Sequence, residues 1–257
     1  MQPPSALQAV ADGVRMILGP LSESLSAVVF PPQCGACTLP LLTRARYGLC
    51  AACLEIIEPA ALEQCTLCGQ PGYEPVCRRC QQRPPAFASV TAPFVYGGPV
   101  AEMLTAAKFQ RREDLAVHLG ELLAAHVKLP RWRQPASLVV PVPLGRKRRR
   151  ERGYNQAVVL ARALSLAWAI PLRHLLVRTR DTLPQSSLDQ QSRRQNVTGA
   201  FAARGQPAGT VILVDDVVTS TETVQQAALA LLAAGANEVH VVALARAAPS
   251  ACAGAGV

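Results

Sequence analysis

The spacing of apolar residues changes character along this 257-residue chain. Leu7, Val10, Val14, Ile17 and Leu18 recur at helical intervals, and Leu21, Leu25, Val28 and Val29 carry an apolar face past Gly19-Pro20. Residues 1–30 are therefore predicted to form an amphipathic helix, interrupted at that Gly-Pro step and packed on its own protein. Residues 31–83 carry no such stripe, and Pro84-Pro85 is a stiff break after them. From about residue 88 strands and helices alternate. Ser89–Tyr96 reads as a strand, Val100–Val127 as a helix in two pieces, and Leu138–Pro143 as a strand running into a loop. Asn155–Ala169 reads as a helix with Leu160 and Leu164 inward, and Leu175–Val177 as a short strand. Thr210–Val214 is a buried strand, Thr223–Ala234 a helix ended by Gly235, and Val239–Leu244 the last strand. This alternation implies an α/β domain over 88–246, a parallel sheet flanked by helices on both faces, with a loose tail at 247–257.

The stretch 31–83 is defined by cysteine. Four Cys-x-x-Cys pairs, Cys34/Cys37, Cys50/Cys53, Cys65/Cys68 and Cys77/Cys80, hold eight of the nine cysteines. Each pair grips one ion from a tight knuckle, and two knuckles complete a tetrahedral four-thiolate site. The gaps of 12, 11 and 8 residues between pairs are short enough for hairpins. The simplest assignment puts Cys34, Cys37, Cys50 and Cys53 on one zinc and Cys65, Cys68, Cys77 and Cys80 on another; a crossed pairing or a single filled site stays open. No histidine lies between residues 34 and 80, which argues against a mixed ligand set. Four thiolates leave no open position for water, so the expected role is structural. Gly35 and Gly69 suit turns needing unusual backbone angles.

Charge narrows the partners. The net charge of +9 and pI near 9.4 favour anions such as nucleic acid or phosphorylated metabolites. No stretch reaches the ~18 uncharged apolar residues of a spanning helix, and no leader pattern opens the chain, so membrane insertion is not expected. A cytoplasmic, reducing setting is expected, in which paired cysteines hold metal rather than disulfides.

Two stretches carry candidate chemistry. The first is Val211-Ile212-Leu213-Val214-Asp215-Asp216-Val217-Val218-Thr219-Ser220-Thr221-Glu222-Thr223. Four aliphatics bury a strand, two carboxylates follow at its carboxyl end, and hydroxyls precede a helix. Ligands of parallel sheets bind at that end. A helix N-terminus with Thr and Ser hydroxyls suits a phosphate, and adjacent carboxylates suit sugar hydroxyls or, through water, Mg2+. The stretch resembles the phosphoribosyl-pyrophosphate (PRPP) motif of type I phosphoribosyltransferases. That resemblance implies that Asp215 and Asp216 contact ribose hydroxyls and that Thr219, Ser220 and Thr223 hold the 5′-phosphate, within a loop that includes Thr221 and Glu222. The family usually carries Gly where Thr221 stands and a small residue where Glu222 stands.

The second stretch puts six cations into seven residues, Arg146, Lys147, Arg148, Arg149, Arg150 and Arg152, between a Pro-x-Pro strand end and Gly153-Tyr154-Asn155-Gln156. Read as a loop at the mouth of the sheet, it suits a pyrophosphate or a nucleic-acid backbone. Tyr154 offers a face on which a base could stack. Lys108 ends the first core helix, and Arg178 ends a strand. The polar excursion 181–199, with Arg193 and Arg194, has the composition of a lid or of an ordinary β-hairpin.

Taken with the eight cysteines, Arg152-Gly153-Tyr154-Asn155-Gln156 and Asp215-Asp216 resemble the ComF/GntX family of competence-associated, phosphoribosyltransferase-like proteins. The resemblance spans roughly residues 30–246. It implies a type I phosphoribosyltransferase-like sheet preceded by a double zinc ribbon, PRPP-type ligands with Mg2+, single-stranded DNA, and partner proteins of the DNA-uptake machinery. The expected function is a PRPP-type site serving DNA uptake and transformation, with turnover left open. The alternatives are an active phosphoribosyltransferase of nucleotide metabolism and a non-catalytic zinc-ribbon scaffold with a vestigial pocket. No general base is evident.

Overall fold

The computed structural model describes residues 31–41, 45–128, 137–180 and 198–247. The helix predicted over 1–30, Arg193 and Arg194 with the rest of 181–197, and the tail from 248 lie outside the described residues.

In chain order the cysteine module holds α1 (Ala51–Glu55) and α2 (Arg78–Gln82). Next come β1 (Ser89–Thr91), β2 (Phe94–Val95), α3 (Gly98–Phe109), α4 (Glu113–His126) and β3 (Leu138–Pro141). They are followed by α5 (Arg146–Arg152), α6 (Gln156–Trp168), β4 (Leu176–Arg178) and β5 (Phe201–Ala203). The chain closes with β6 (Thr210–Val218), α7 (Glu222–Ala233) and β7 (Glu238–Arg246). The main sheet has the order β1-β7-β6-β3, every pair parallel, with β2 also beside β7. No helix among the described residues is long and apolar enough to cross a membrane.

Alternation along the central strands divides the interior into two cores. Ile212 and Val214 of β6 and Val242 and Leu244 of β7 face one side, against α3, α4, α6 and the first cysteine knuckles. Val211 and Leu213, with Val241 and Ala243, face the other, against α7 and the β4–β5 pair. A parallel sheet covered on both faces needs strands apolar at every position, which the run from Val211 to Val214 supplies.

Four expectations are revised. The strand predicted over Ser89–Tyr96 is broken between β1 and β2, because Pro93 has no N–H for a ladder. The Pro93 carbonyl instead accepts from the Ala60 N–H at 2.8 Å, and Val95 N–H donates to Glu58 at 3.0 Å, stitching the cysteine module to this edge. The strand predicted at Leu175–Val177 lies outside the parallel sheet: β4 pairs antiparallel with β5, Leu176 opposite Ala203 and Arg178 opposite Phe201. The basic stretch expected as a loop is the helix α5, bracketed by Gly145 at its N-cap and Gly153 with φ of 82° after it. Finally, β6 runs on to Val218, because β7 pairs beside it as far as Val218 opposite Arg246. Asp215 and Asp216 therefore lie inside the strand rather than beyond it. β3 stops pairing at Pro141 opposite Val214, so past Val214 that edge of β6 is open to a ligand.

Candidate functional site

The sulfurs of Cys34, Cys37, Cys50 and Cys53 all lie within 4.8 Å of one another, as do those of Cys65, Cys68, Cys77 and Cys80. The consecutive assignment of the pairs holds. Cys37 and Cys50 are 3.8 Å apart at sulfur, and so are Cys68 and Cys77. Tetrahedral zinc with bonds of about 2.3 Å places its sulfurs about 3.8 Å apart, so both sets fit that ion. Burial alone would raise the Cys34 and Cys65 thiols. Backbone N–H groups aimed at them win and pull Cys34 down to about 6 and Cys65 to about 7. Burial and the neighbouring sulfurs push Cys53 and Cys80 the other way, so each set pairs a ready thiolate with protonated thiols and gives up protons when it takes a metal. Gly69 takes the expected left-handed turn, with φ of 67°. Gly35 serves a different need: a Cβ there would meet Leu115 Cδ2 at 2.6 Å, so its bareness lets the first knuckle seat on α3 and α4.

At the open edge of β6 lies a cleft of about 320 Å³. Asp215, Asp216, Thr219 and Thr223 line it from β6 and the start of α7; Lys108, Arg148, Arg152 and Asn155 line it from the facing helices. The acidic strand and the basic segment therefore share one crevice. Lys108 Nζ sits 2.9 Å from Asp216 Oδ2, so one carboxylate is already paired. Burial, then the neighbouring Asp216, pushes Asp215 up to about 7. Its Oδ1 accepts from the Asp216 N–H at 2.9 Å. Arg148 and Arg152, one helical turn apart, share the inner face of α5. Arg146, Lys147, Arg149 and Arg150 are exposed and line no part of the cleft.

The turn after α5 positions these arginines. Asn155 accepts from the Ala157 N–H at 3.1 Å, capping α6, and donates to the Val142 carbonyl at 2.9 Å. Gln156 is buried; it accepts from Arg152 Nη1 at 3.2 Å and donates to Ala107 O at 3.4 Å. Tyr154 is not brought to the cleft. Its hydroxyl reaches the carbonyls of Ala107 at 2.8 Å and Arg112 at 3.3 Å, which ties the basic segment to the end of α3 and takes its hydroxyl edge away from a base.

The hydroxyl loop is held from behind. Thr221 stands at the N-cap of α7 with φ of 67°, a conformation costing a β-branched residue about 1–2 kcal/mol, and its side chain makes no capping bond. Its Oγ1 instead accepts from Arg79 Nη2 at 2.9 Å, while Arg79 Nη1 donates to Ser220 O at 3.3 Å. Buried Arg246 donates to Val218 O at 2.8 Å and to Thr219 O, and its other amino group reaches Gln70 Oε1 at 3.3 Å. Ser220 Oγ is buried without a hydrogen-bond partner among the described residues. Glu222 lines a separate groove with Arg79 and Arg83 rather than the cleft.

Sequence reasoning missed Tyr96 and Arg178 as cleft walls, and missed Arg79 and Arg246 as supports. An arginine closing the apolar run of β7 is the one sequence signal that could have raised Arg246.

No family model matches the chain. Over 226 residues it is 32% identical to DNA utilization protein YhgH of Salmonella typhimurium, covering 84% of this chain and 97% of that protein. Competence protein F of Haemophilus influenzae is 32% identical over 213 residues, covering 79% and 92%. Competence protein ComFC of Bacillus subtilis is 26% identical over 197 residues, covering 73% and 79%. Solved structures with some likeness include the allosteric regulatory enzyme of purine biosynthesis, with TM-score 0.34 and 24% identity over 50% of this chain and 25% of that one. Adenine phosphoribosyltransferase from Leishmania tarentolae gives TM-score 0.32 and 11% identity over 55% and 74%. Structural overlap this slight carries no argument.

Proposed function

The chain belongs to the ComF family, with competence protein F and the YhgH DNA utilization proteins, and from that premise we propose that its cleft binds a PRPP-type ligand in the service of DNA uptake. One observation supports this above others: carboxylates, hydroxyls and arginines meet around a single cleft at the carboxyl end of a parallel sheet. The ribose hydroxyls would donate to Asp215 and Asp216. The 5′-phosphate would sit at Thr219 and Thr223, before the N-terminus of the 12-residue helix α7. The pyrophosphate would face Arg148 and Arg152. Asp216 is occupied by Lys108, so Asp215 is the carboxylate that fits a Mg2+ carried in on the phosphates.

The outward cations Arg146, Lys147, Arg149 and Arg150 favour a second ligand, single-stranded DNA, gripped by its backbone while the cleft holds the small molecule. Both zinc sites are structural in this reading, the setting is the cytoplasm, and the protein partners are those of the uptake machinery.

Isothermal titration of the zinc-loaded protein with PRPP, with and without Mg2+, tests the reading. Saturable binding that Asp215→Ala/Asp216→Ala removes supports it, and absence of binding in the wild type overturns it. Pyrophosphate release on adding pooled bases would move the protein to the active transferases.

A further inference from the structure

The second cysteine site and the hydroxyl loop are tied at two points. Arg79 lies between the ligands Cys77 and Cys80 on α2, and its guanidinium spans Thr221 Oγ1 at 2.9 Å and Ser220 O at 3.3 Å. Gln70, just past Cys68, accepts from Arg246 at 3.3 Å, and Arg246 in turn holds the carbonyls of Val218 and Thr219. The loop facing the cleft thus rests on two guanidiniums, each anchored at a knuckle of the same four-thiol cluster.

Thr221 shows why the support is needed. Its φ of 67° belongs to the region where glycine is at ease and a β-branched side chain is not. Such a conformation persists where surrounding bonds over-determine it. The bond from Arg79 uses the hydroxyl that a glycine would lack, so residue and support form a matched pair.

We propose that Arg79 is a positioning residue for the phosphate end of the cleft. It holds Thr221 and the Ser220 carbonyl so that Thr219 and Thr223 present to the ligand, and it does so from the scaffold of Cys65, Cys68, Cys77 and Cys80. The proposal rests on the reading that the cleft takes a phosphorylated ribose. It adds a split between the two ends of that ligand: Arg79 governs the 5′-phosphate end, while the pyrophosphate end, walled by Arg148 and Arg152, is indifferent to it.

Titration of zinc-loaded wild type, Arg79→Ala, Arg78→Ala, Thr221→Gly and the Arg79→Ala/Thr221→Gly double variant, with ribose 5-phosphate and separately with inorganic pyrophosphate, tests this. Arg79→Ala is expected to weaken ribose 5-phosphate about tenfold and leave pyrophosphate within twofold, with Arg78→Ala unchanged for both. In the Thr221→Gly background, the same Arg79 change is expected to cost less than threefold, since the strained pair is gone. Hydrogen exchange gives a ligand-free readout: amides of 219–223 should exchange faster in Arg79→Ala, with those of 34–53 unaltered and zinc content unchanged. Equal weakening of both ligands, wild-type exchange in the loop, or loss of zinc from Arg79→Ala would each overturn the proposal. If wild type binds neither ligand, the cleft assignment falls instead, and the exchange data alone judge the strut.

Discussion

Lys108 and Asp216 form a 2.9 Å ion pair between the last turn of α3 and the open edge of β6. Two carboxylates side by side in a cleft repel, and this lysine offsets one of them. Lys108 thus reaches from the helical wall to the acidic strand, and its charge is spent there rather than offered to a ligand. Replacing it with Met should raise the apparent pKa of Asp215 further. It should also weaken Mg2+-free PRPP binding less than Arg148→Ala does, a comparison that titration calorimetry makes directly.

Asp215 gives a pH signature with a definite sign. Its folded value of about 7 lies above the ordinary carboxylate value of 3.8, so the folded protein holds a proton the unfolded chain releases between them. Its contribution to stability is therefore full below the unfolded value and is lost as pH rises through about 7. That gap corresponds to a ceiling on the order of 4 kcal/mol. Buried His240 titrates low and works in the opposite direction, so the difference between Asp215→Asn and wild type isolates the carboxylate. The variant should melt higher than wild type at pH 8, with the difference shrinking as pH falls and vanishing only below about 4, where the unfolded chain also holds the proton, as followed by calorimetry without ligand.

Helix α5 should divide its labour by face. Arg148→Ala/Arg152→Ala is expected to abolish the PRPP-induced rise in Tm. Arg146→Ala/Lys147→Ala/Arg149→Ala should preserve that rise and flatten the salt dependence of oligonucleotide binding by about 0.7 in slope per lost contact. Fluorescence anisotropy across a salt series, alongside melts, reads both. Identical behaviour of the two variants would remove the two-ligand reading.

Metal analysis should return two zinc ions per chain. Cys53→Ser and Cys80→Ser should each release one. Cys53 belongs to the core of α3, α4 and α6, so its loss should lower Tm steeply. Cys80 packs in a small cluster with Cys65, Cys68 and Cys77, so its loss should lower Tm less. Elemental analysis paired with thermal melts decides it, and equal drops in Tm would contradict the difference in packing.

Local features were legible in the sequence, and remote partners were not. The cysteine spacing announced the four knuckles, because each pair lies within one short turn, while which knuckles join was settled only by the folded positions of their sulfurs. Asp215 and Asp216 stood out because four aliphatics before them fix a central strand. Apolar run length identified Leu176 as strand but not its neighbour, since Leu-Leu-Val looks the same in a parallel sheet and in a two-stranded ladder. Cation density disguised α5 as a loop, although Gly145 and Gly153 bracket it as helix ends. Tyr154 was visible as an aromatic, yet its hydroxyl is claimed by Ala107, 47 positions earlier. Arg79 and Arg246 stayed hidden for the same reason: their partners Thr221 and Gln70 are 142 and 176 positions away.

The unequal lengths of two neighbouring strands set the room available for chemistry. β3 ends its pairing at Val214 while β6 continues to Val218, leaving a notch in the sheet. The Asp215 and Asp216 carboxylates stand on that margin, inside the cleft that the notch leaves. A relative whose third strand grew long enough to zip up the margin would keep its hydrophobic interior and both four-cysteine clusters, and would have nowhere left to put a guest.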